Sequence, residues 1–204
     1  MSPTSRVVMV ASVMTLMVAC THRVDVALRP NFAAEIKPGR ELSKITPALT
    51  FSRGEFADKR PNPTQLAQFK QQMHTYNLYE ERPIADALYE GLRTAITASN
   101  HVWTDSLSGN VKVNLTFINL QAARNSGMVS VGATSSIQVK ADFVNAKTGE
   151  VIYSNIYTGS DERSKAMIGL MGMVKDSIDA SILRCVQSIV DDQGLANALG
   201  RIQT

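Results

Sequence analysis

Cys20 is the residue of this chain whose position most clearly predicts chemistry. It follows thirteen uncharged residues, Val7 to Ala19, which a single charged residue, Arg6, precedes. A basic start, an apolar run of this length and small residues before a cut are typical of a secretory signal peptide. Thirteen residues are too few to cross a bilayer, since a membrane-spanning helix needs about 20. The sequence therefore predicts an exported protein that is cut close to Cys20.

The residues around the expected cut are more specific than a general signal peptide. Leu16 to Cys20, with the sequence Leu-Met-Val-Ala-Cys, resembles the lipobox of bacterial lipoproteins, although Met17 stands where the lipobox usually has leucine. The resemblance implies that Cys20 becomes the first mature residue and carries acyl chains on its sulfur and amino group. It also implies the outer membrane, because Thr21 is not the aspartate that favours inner-membrane retention. The alternative is an ordinary signal peptide that is cut elsewhere, with no role for Cys20.

The other residues that could bind a metal or act in catalysis form no motif. The histidines, His22, His74 and His101, are far apart in sequence, whereas metal sites need clustered ligands. The chain has no phosphate-binding glycine loop, no Gly-x-Ser-x-Gly motif and no metalloprotease helix. The sequence therefore predicts no metal, no cofactor and no catalytic residues. An enzyme would require a cleft in which His74 or His101 meets a carboxylate.

Cys185 is the second of two cysteines, and acylation of Cys20 would leave it without a disulfide partner. Its position falls on the apolar side of a predicted C-terminal helix. We therefore interpret Cys185 as a small buried residue. A reactive thiol is the alternative, but no histidine or aspartate motif accompanies it.

Composition and charge favour a globular domain without a nucleic-acid surface. Hydrophobic residues make up 44% of the 204 residues, which is enough for a core. The 21 basic and 18 acidic residues give a net charge of +3, and no block of like charge occurs. The sequence therefore predicts no binding to nucleic acid. We expect a signal peptide over residues 1–19, a lipidated start and tether over 20–46, and one domain over 47–204.

Apolar periodicity predicts two amphipathic helices in the domain. The first begins at Pro83, which suits the first helical position, and ends near Ser99. The second covers Ser164 to Val190, and a short helix follows it. Gln65 to Met73 favours a further short helix.

A long alternation of apolar and polar residues from Val129 to Phe143 predicts a half-buried antiparallel strand, with a bend or bulge at Gly132. A turn then pairs this strand with Val151 to Tyr157, so that Phe143 faces Ile152. Shorter strands are expected at residues 24–28, 48–52, 75–79 and 111–117. Together these elements predict an α+β fold, a mainly antiparallel sheet with two amphipathic helices packed on one face and a short C-terminal helix.

The layout of the chain is similar to that of the YajG-type bacterial lipoproteins. The shared features are the lipobox, Phe51 with the loop from Asp58 to Arg60, the apolar stripe Ile84, Leu88 and Leu92, the long strand that leads into residues 145–149, and the closing amphipathic helix. The resemblance implies an envelope location and this fold. It implies no reaction and no catalytic residues.

Two places in the sequence could dock a partner. Arg60 lies in a loop after a predicted strand and could bind a carboxylate or a sugar of the partner. Alternatively, it pairs locally with Asp58 and shapes the loop. Met167, Met171 and Met173 begin the second long helix and would give an adaptable apolar surface, or they pack ordinarily on the sheet.

These observations lead to two hypotheses of function. The first is a non-enzymatic interaction module that is anchored in the outer membrane through Cys20, faces the periplasm and serves an envelope complex through a protein partner. The second is a periplasmic carrier of a small apolar ligand or lipid. A pocket lined by Met167, Met171 and Phe143 would favour the carrier, and a filled core there would count against it.

Overall fold

The computed structural model describes residues 20–71, 74–105, 109–126, 131–165 and 170–201. Within these residues no helix is both long enough and apolar enough to cross a membrane. The strands and helices follow one another as β1 (Cys20–Val26), α1 (Phe32–Glu35), β2 (Thr50–Asp58), β3 (Gln65–Gln71), β4 (His74–Glu80), α2 (Ile84–Ala98), β5 (Val102–Thr104), β6 (Val111–Ser126), β7 (Val131–Asn145), β8 (Val151–Lys165), α3 (Leu170–Val190) and α4 (Gln193–Arg201).

The described strands form two sheets, where one was predicted. The small sheet has the order β1-β4-β3, and the large sheet has the order β5-β2-β6-β7-β8. Both are mixed, because β1 runs parallel to β4 and β2 runs parallel to β5 and β6, whereas the remaining pairs are antiparallel. The prediction of a single sheet is therefore wrong, and both sheets are mixed, although antiparallel pairing predominates in the large one. Parallel neighbours need a crossover between them, and α2 provides one between β2 and β5.

Helix α2 is confirmed where the sequence predicts it. Pro83 precedes its first residue, and the backbone N–H of Ile84 donates to the Glu80 carboxylate at 2.9 Å, which satisfies one free donor of the first turn. The helix ends at Ala98, and Asn100 follows with φ of 66°, a left-handed conformation that is common after a helix. The apolar side of α2 is buried, so packing against the rest of the domain stabilises the helix.

The core lies between the large sheet and helices α2 and α3. Along β6 and β7, buried residues on the inner face alternate with half-buried ones, as the period of two predicts. The largest side chains that the core buries almost completely are Phe51, Phe117, Phe143, Leu28, Leu42, Leu78, Ile84, Leu88, Leu92, Ile96, Leu115 and Ile137.

The hairpin of β7 and β8 is confirmed, but its register differs by one residue from the prediction. Phe143 pairs with Tyr153 and not with Ile152, because the pairing shifts immediately after Phe143. A bulge of one residue reverses which side chains face the core. Tyr157 is therefore buried, whereas Ile156 is 55% exposed.

Two predicted helical segments are strands at the positions where a neighbouring strand is available. Gln65–Gln71 forms β3, which pairs antiparallel with β4. Ser164, the predicted first residue of the second helix, lies in β8, and the described part of this helix, α3, covers Leu170–Val190. The bulge of the β6–β7 pair follows Phe117 and is not at Gly132.

Residues 21–46, predicted as part of a tether, pack on the domain. Strand β1 pairs with β4 along its whole length, and Leu28, Phe32 and Leu42 are at most 3% exposed. Gly91 of α2 makes room for Phe32, because a β-carbon there would lie 2.6 Å from the Phe32 ring. The chain therefore belongs to the folded domain from its first described residues.

Asp192 joins α4 to β8. One carboxylate oxygen accepts hydrogen bonds from Tyr157 at 2.7 Å and from Tyr153 at 3.0 Å, and the other accepts from the backbone N–H of Gly194 at 2.7 Å. Partial burial alone would raise the pKa of Asp192, but these bonds outweigh it and hold the pKa below its usual value. The short C-terminal helix, predicted from sequence, is therefore fixed to the sheet at its start.

Candidate functional site

An open cleft of about 470 Å³ lies where α2 meets the edge of the large sheet formed by β2 and β5. Helix α2 provides its wall, because Asp86, Glu90 and Arg93 recur on the exposed side of the helix every three or four residues. Strand β2 contributes Arg53 and strand β5 contributes Trp103. The cleft is therefore built by elements of the domain and not by one loop.

Three arginines and three carboxylates of the cleft form ion pairs, so their charges balance. Arg53 contacts Asp86 at 3.1 Å, Arg82 contacts Glu90 at 2.9 Å, and Arg93 contacts Asp105 at 3.5 Å. All six side chains are at least 35% exposed. Exposed pairs of this kind contribute only about 0–1 kcal/mol each, so a ligand that offers its own charges can replace them.

The floor of the cleft is aromatic and fixed. The Tyr89 hydroxyl lies 2.9 Å from the carbonyl oxygen of Glu55 and 3.1 Å from that of Val113, and donates to this pair. Burial raises the pKa of Tyr89 to about 12, so the ring is neutral at physiological pH. The Arg53 guanidinium lies 4.5 Å from the centre of this ring, and the Trp103 ring lies 6.3 Å from it. The cleft therefore combines a rigid floor with exchangeable charges.

Arg60, a predicted docking residue, is engaged inside the protein. Its guanidinium donates to both carboxylate oxygens of Asp58, at 2.7 and 3.1 Å, and to the carbonyl oxygens of Gln65, at 3.1 Å, and Pro63. It lies 4.7 Å from the centre of the Phe117 ring, and its side chain is 5% exposed. This geometry fits the alternative in which the pair with Asp58 shapes the loop.

The predicted methionine surface is only partly described. Met173 is 6% exposed and belongs to the core, so it faces inward. Met167 and the side chain of Met171 lie outside the described residues. Phe143, expected to line a pocket with these methionines, is 1% exposed and belongs to the core.

The structure describes the side chain of Cys185 but only the backbone of Cys20. Cys185 is completely buried, its thiol lies 3.9 Å from the Tyr157 carbonyl oxygen, and burial raises the pKa of the thiol to about 12. Its interpretation as a small buried residue is confirmed. Cys20 is the first residue of β1 and lies opposite His74 in the strand register, but its side chain is outside the described part.

The histidines have different surroundings. His101 is buried, and its ring nitrogens bond the backbone N–H of Leu49 at 3.1 Å and the Leu42 carbonyl oxygen at 3.0 Å. His22 and His74, far apart in sequence, contact each other at 2.9 Å. Among the described residues, no group of three or more histidines, cysteines or carboxylates is arranged to hold a metal ion.

Sequence reasoning missed both the cleft and the histidine pair. The charged positions of α2 were visible as residues off its apolar stripe, but Arg53 and Trp103 reach them only through the sheet. The pairing of His22 with His74 depends on the parallel register of β1 and β4, which no local pattern indicates.

Comparison with solved structures identifies relatives of the fold. Protein XCC0632 from Xanthomonas campestris superposes with a TM-score of 0.61 at 12% identity, over 89% of this chain and 99% of that one. A minor lipoprotein from Acinetobacter baumannii has a TM-score of 0.41 at 14% identity, over 72% of this chain and 92% of that one. The first of these likenesses shows that the two proteins share a fold.

Comparison of sequences identifies the family. No curated protein matches the chain. The profile of a family described as "Uncharacterized lipoprotein" matches residues 55–200, which is most of the chain. The narrower assignment to the YajG type stays a prediction. This match shows that the chain belongs to that lipoprotein family.

Proposed function

We propose that the chain is a non-enzymatic interaction module, anchored in the outer membrane through acylated Cys20, facing the periplasm and serving a larger envelope complex. Membership of a lipoprotein family supports an anchor. The lipobox-like residues before Cys20 indicate where the anchor is attached, and Thr21 favours the outer membrane. The partners found for His74 and His101, another histidine and backbone groups, support a role without catalysis.

The observation that carries the proposal is that the chain is already part of the folded domain at Cys20. Strand β1 pairs with β4 at every residue from Cys20 to Val26. Val26 is 8% exposed, and at about 3.3 Å per residue it lies about 20 Å from Cys20. Acyl chains on Cys20 would therefore hold the starting end of β1 and the small sheet at the membrane surface, without a spacer. Confinement there raises the effective concentration of the domain for envelope partners.

We expect acylation of Cys20 to decide the location of the protein. The wild-type chain should have a mature mass that begins at Cys20 and includes acyl groups, and it should fractionate with the outer membrane. Cys20→Ala should lose the acyl mass, because alanine has no thiol to acylate. It should also lose the outer-membrane location, because stable anchoring needs more than one acyl chain and this variant carries none. Intact mass spectrometry and membrane fractionation measure both properties. Identical mass additions and identical fractions for the two chains would contradict the proposed anchor.

The cleft of α2, β2 and β5 is the surface at which we expect the protein partner to dock. Tryptophan, tyrosine and arginine are the residues that most often dominate binding energy at protein interfaces. Trp103, Tyr89 and Arg53 meet in this cleft, with Tyr89 held rigidly by its hydrogen bonds. Because the charges of the cleft balance, the partner segment should carry both acidic and basic side chains that replace the existing pairs.

The docking surface is testable by photo-crosslinking in cells. A photoreactive side chain in place of Thr94, which lines the cleft, should form a defined adduct with an envelope protein. The same group in place of Glu150, exposed in the β7–β8 turn, is the control and should not form it. Trp103→Ala should reduce the Thr94 adduct at least about tenfold, as removal of a dominant contact does. An adduct that Trp103→Ala leaves unchanged would exclude the cleft as the docking surface.

A further inference from the structure

The contact between His22 and His74 places two metal-binding nitrogens side by side. Nε2 of His22 lies 2.9 Å from Nδ1 of His74. Two nitrogens that bind one metal ion at about 2.0–2.1 Å are about 2.9 Å apart at a right angle and about 3.3 Å apart at the tetrahedral angle. The observed separation is that of a hydrogen bond, and it is also close to the separation of two ligands of one ion.

We propose that His22 and His74 form a chelating site for a late divalent transition-metal ion, such as Zn²⁺ or Cu²⁺, on the small sheet. Imidazole nitrogens are preferred ligands of these ions. His22 is exposed and His74 is half-buried, so an ion has access and water can complete its coordination. The site does not depend on the proposed anchor.

The fold holds the two rings together before any ion binds. His22 lies opposite Tyr76 in the β1–β4 register, and its ring stacks on the Tyr76 ring with centres 5.1 Å apart and planes 21° apart. Tyr76 in turn stacks on Phe69 of β3, which is 7% exposed. Because the ring of His22 rests on a partly buried aromatic stack, little conformational freedom remains to be lost when an ion binds.

The proton between the rings can be moved without being released. In the hydrogen bond, one of the two facing nitrogens carries a proton and the other accepts it. Binding of an ion to both nitrogens requires the donor ring to carry its proton on the opposite nitrogen, and small rotations aim both lone pairs at the ion. Each ring stays neutral, so no base is required.

An ion at this site would link β1 to β4, since each strand provides one ligand. It binds the folded chain and has no preformed site in the unfolded chain. It should therefore raise the midpoint temperature of unfolding as its concentration increases. This rise in the unfolding temperature distinguishes an ion that is chelated by two strands from an ion that is bound by a single side chain.

The test is calorimetric titration of the purified full chain in detergent with Zn²⁺ and, separately, with Cu²⁺. The chain carries Cys20→Ala so that the thiol of Cys20 cannot bind the ion. We expect saturable binding of one ion per chain, tighter for Cu²⁺ than for Zn²⁺. His22→Gln and His74→Gln should each weaken it at least about 100-fold, because a chelate becomes a single ligand. Zn²⁺ should raise the unfolding temperature of the parent and not of these variants.

Arg23→Gln is the matched control. Arg23 follows His22 in β1 but pairs with Asp25, so its replacement should leave metal affinity unchanged. The exposed position of His22 makes His22→Gln the variant least able to disturb the fold, and circular dichroism checks this. Absence of saturable binding in the parent, or an unchanged affinity in His22→Gln, would overturn the proposal.

Discussion

Gly159→Val is expected to lower the free energy of unfolding by about 3 kcal/mol or more, because β8 and α3 touch at this residue. A β-carbon at Gly159 would overlap the carbonyl oxygen of Ser181 and lie 2.5 Å from the backbone nitrogen of Cys185. Both atoms belong to the backbone of α3, so no change of rotamer relieves the overlap. The helix itself would have to move away from the sheet. Urea denaturation followed by circular dichroism measures the loss.

Gly172→Ala is the control for this prediction. Gly172 also lies in α3, but a β-carbon there would meet no atom within 4 Å. Alanine suits a helix better than glycine by up to about 1 kcal/mol, so this variant should be as stable as the wild type or more stable. If Gly159→Val and Gly172→Ala had the same free energy of unfolding, close packing at Gly159 would not be important for the stability of the domain.

Arg60→Ala is expected to destabilise the domain by about 3 kcal/mol, because it removes the only cationic side chain that contacts two mostly buried carboxylates among the described residues. The guanidinium contacts Asp58 at 2.7 Å and Glu80 at 4.0 Å, and these carboxylates are 14% and 12% exposed. Burial raises the pKa of Glu80, which opposing interactions with Ile84 and Arg60 only partly offset. Loss of Arg60 would therefore favour protonation of Glu80.

The pH dependence of this variant has a definite sign. Near neutral pH the charged form of Glu80 loses its attraction to Arg60, and the full destabilisation should appear. At about pH 4, protonation of Glu80, whose pKa burial already raises, removes part of the penalty, so wild type and variant should differ less. Urea midpoints at the two pH values test this. A difference that grows in acid would contradict the role of Arg60 as the partner of these carboxylates.

Arg23→Ala is a matched control for Arg60→Ala. Both arginines pair with an aspartate two residues away in sequence, and both pairs are close, at 2.9 and 2.7 Å. The Arg23 and Asp25 side chains are 65% and 54% exposed, however, so loss of their pair should change the stability far less than loss of Arg60 does. The comparison isolates the effect of burial.

Elements that a local pattern decides were predictable from the sequence. Pro83 starts α2 through its own geometry, and the apolar side of α2 repeats with the period of a helix. The alternation along β7 likewise indicates which residues of that strand face the core. Cys185 lies on the buried side of α3 for the same reason.

Elements that a distant neighbour decides were not predictable. Gln65–Gln71 becomes a strand because β4 is available as a partner, although its composition is compatible with a short helix. The pairing of β8 shifts beside Phe143 through a bulge that no turn residue marks. The burial of Arg60 depends on Phe117 of β6, more than fifty residues away in the chain. The candidate cleft has the same origin, because its residues meet only when α2 packs on the sheet.

The parallel pairing of β1 with β4 also determines the order in which the domain assembles. His22 and His74 are separated by 52 residues, so this contact closes a long loop, whereas β3 and β4 are neighbours in sequence. Closing a longer loop costs more chain entropy, and pairs of distant strands form more slowly than local ones. Strand β1 therefore joins after the β3–β4 hairpin exists. Cys20 therefore becomes part of the folded domain only once the chain as far as Glu80 is available to pair with β1.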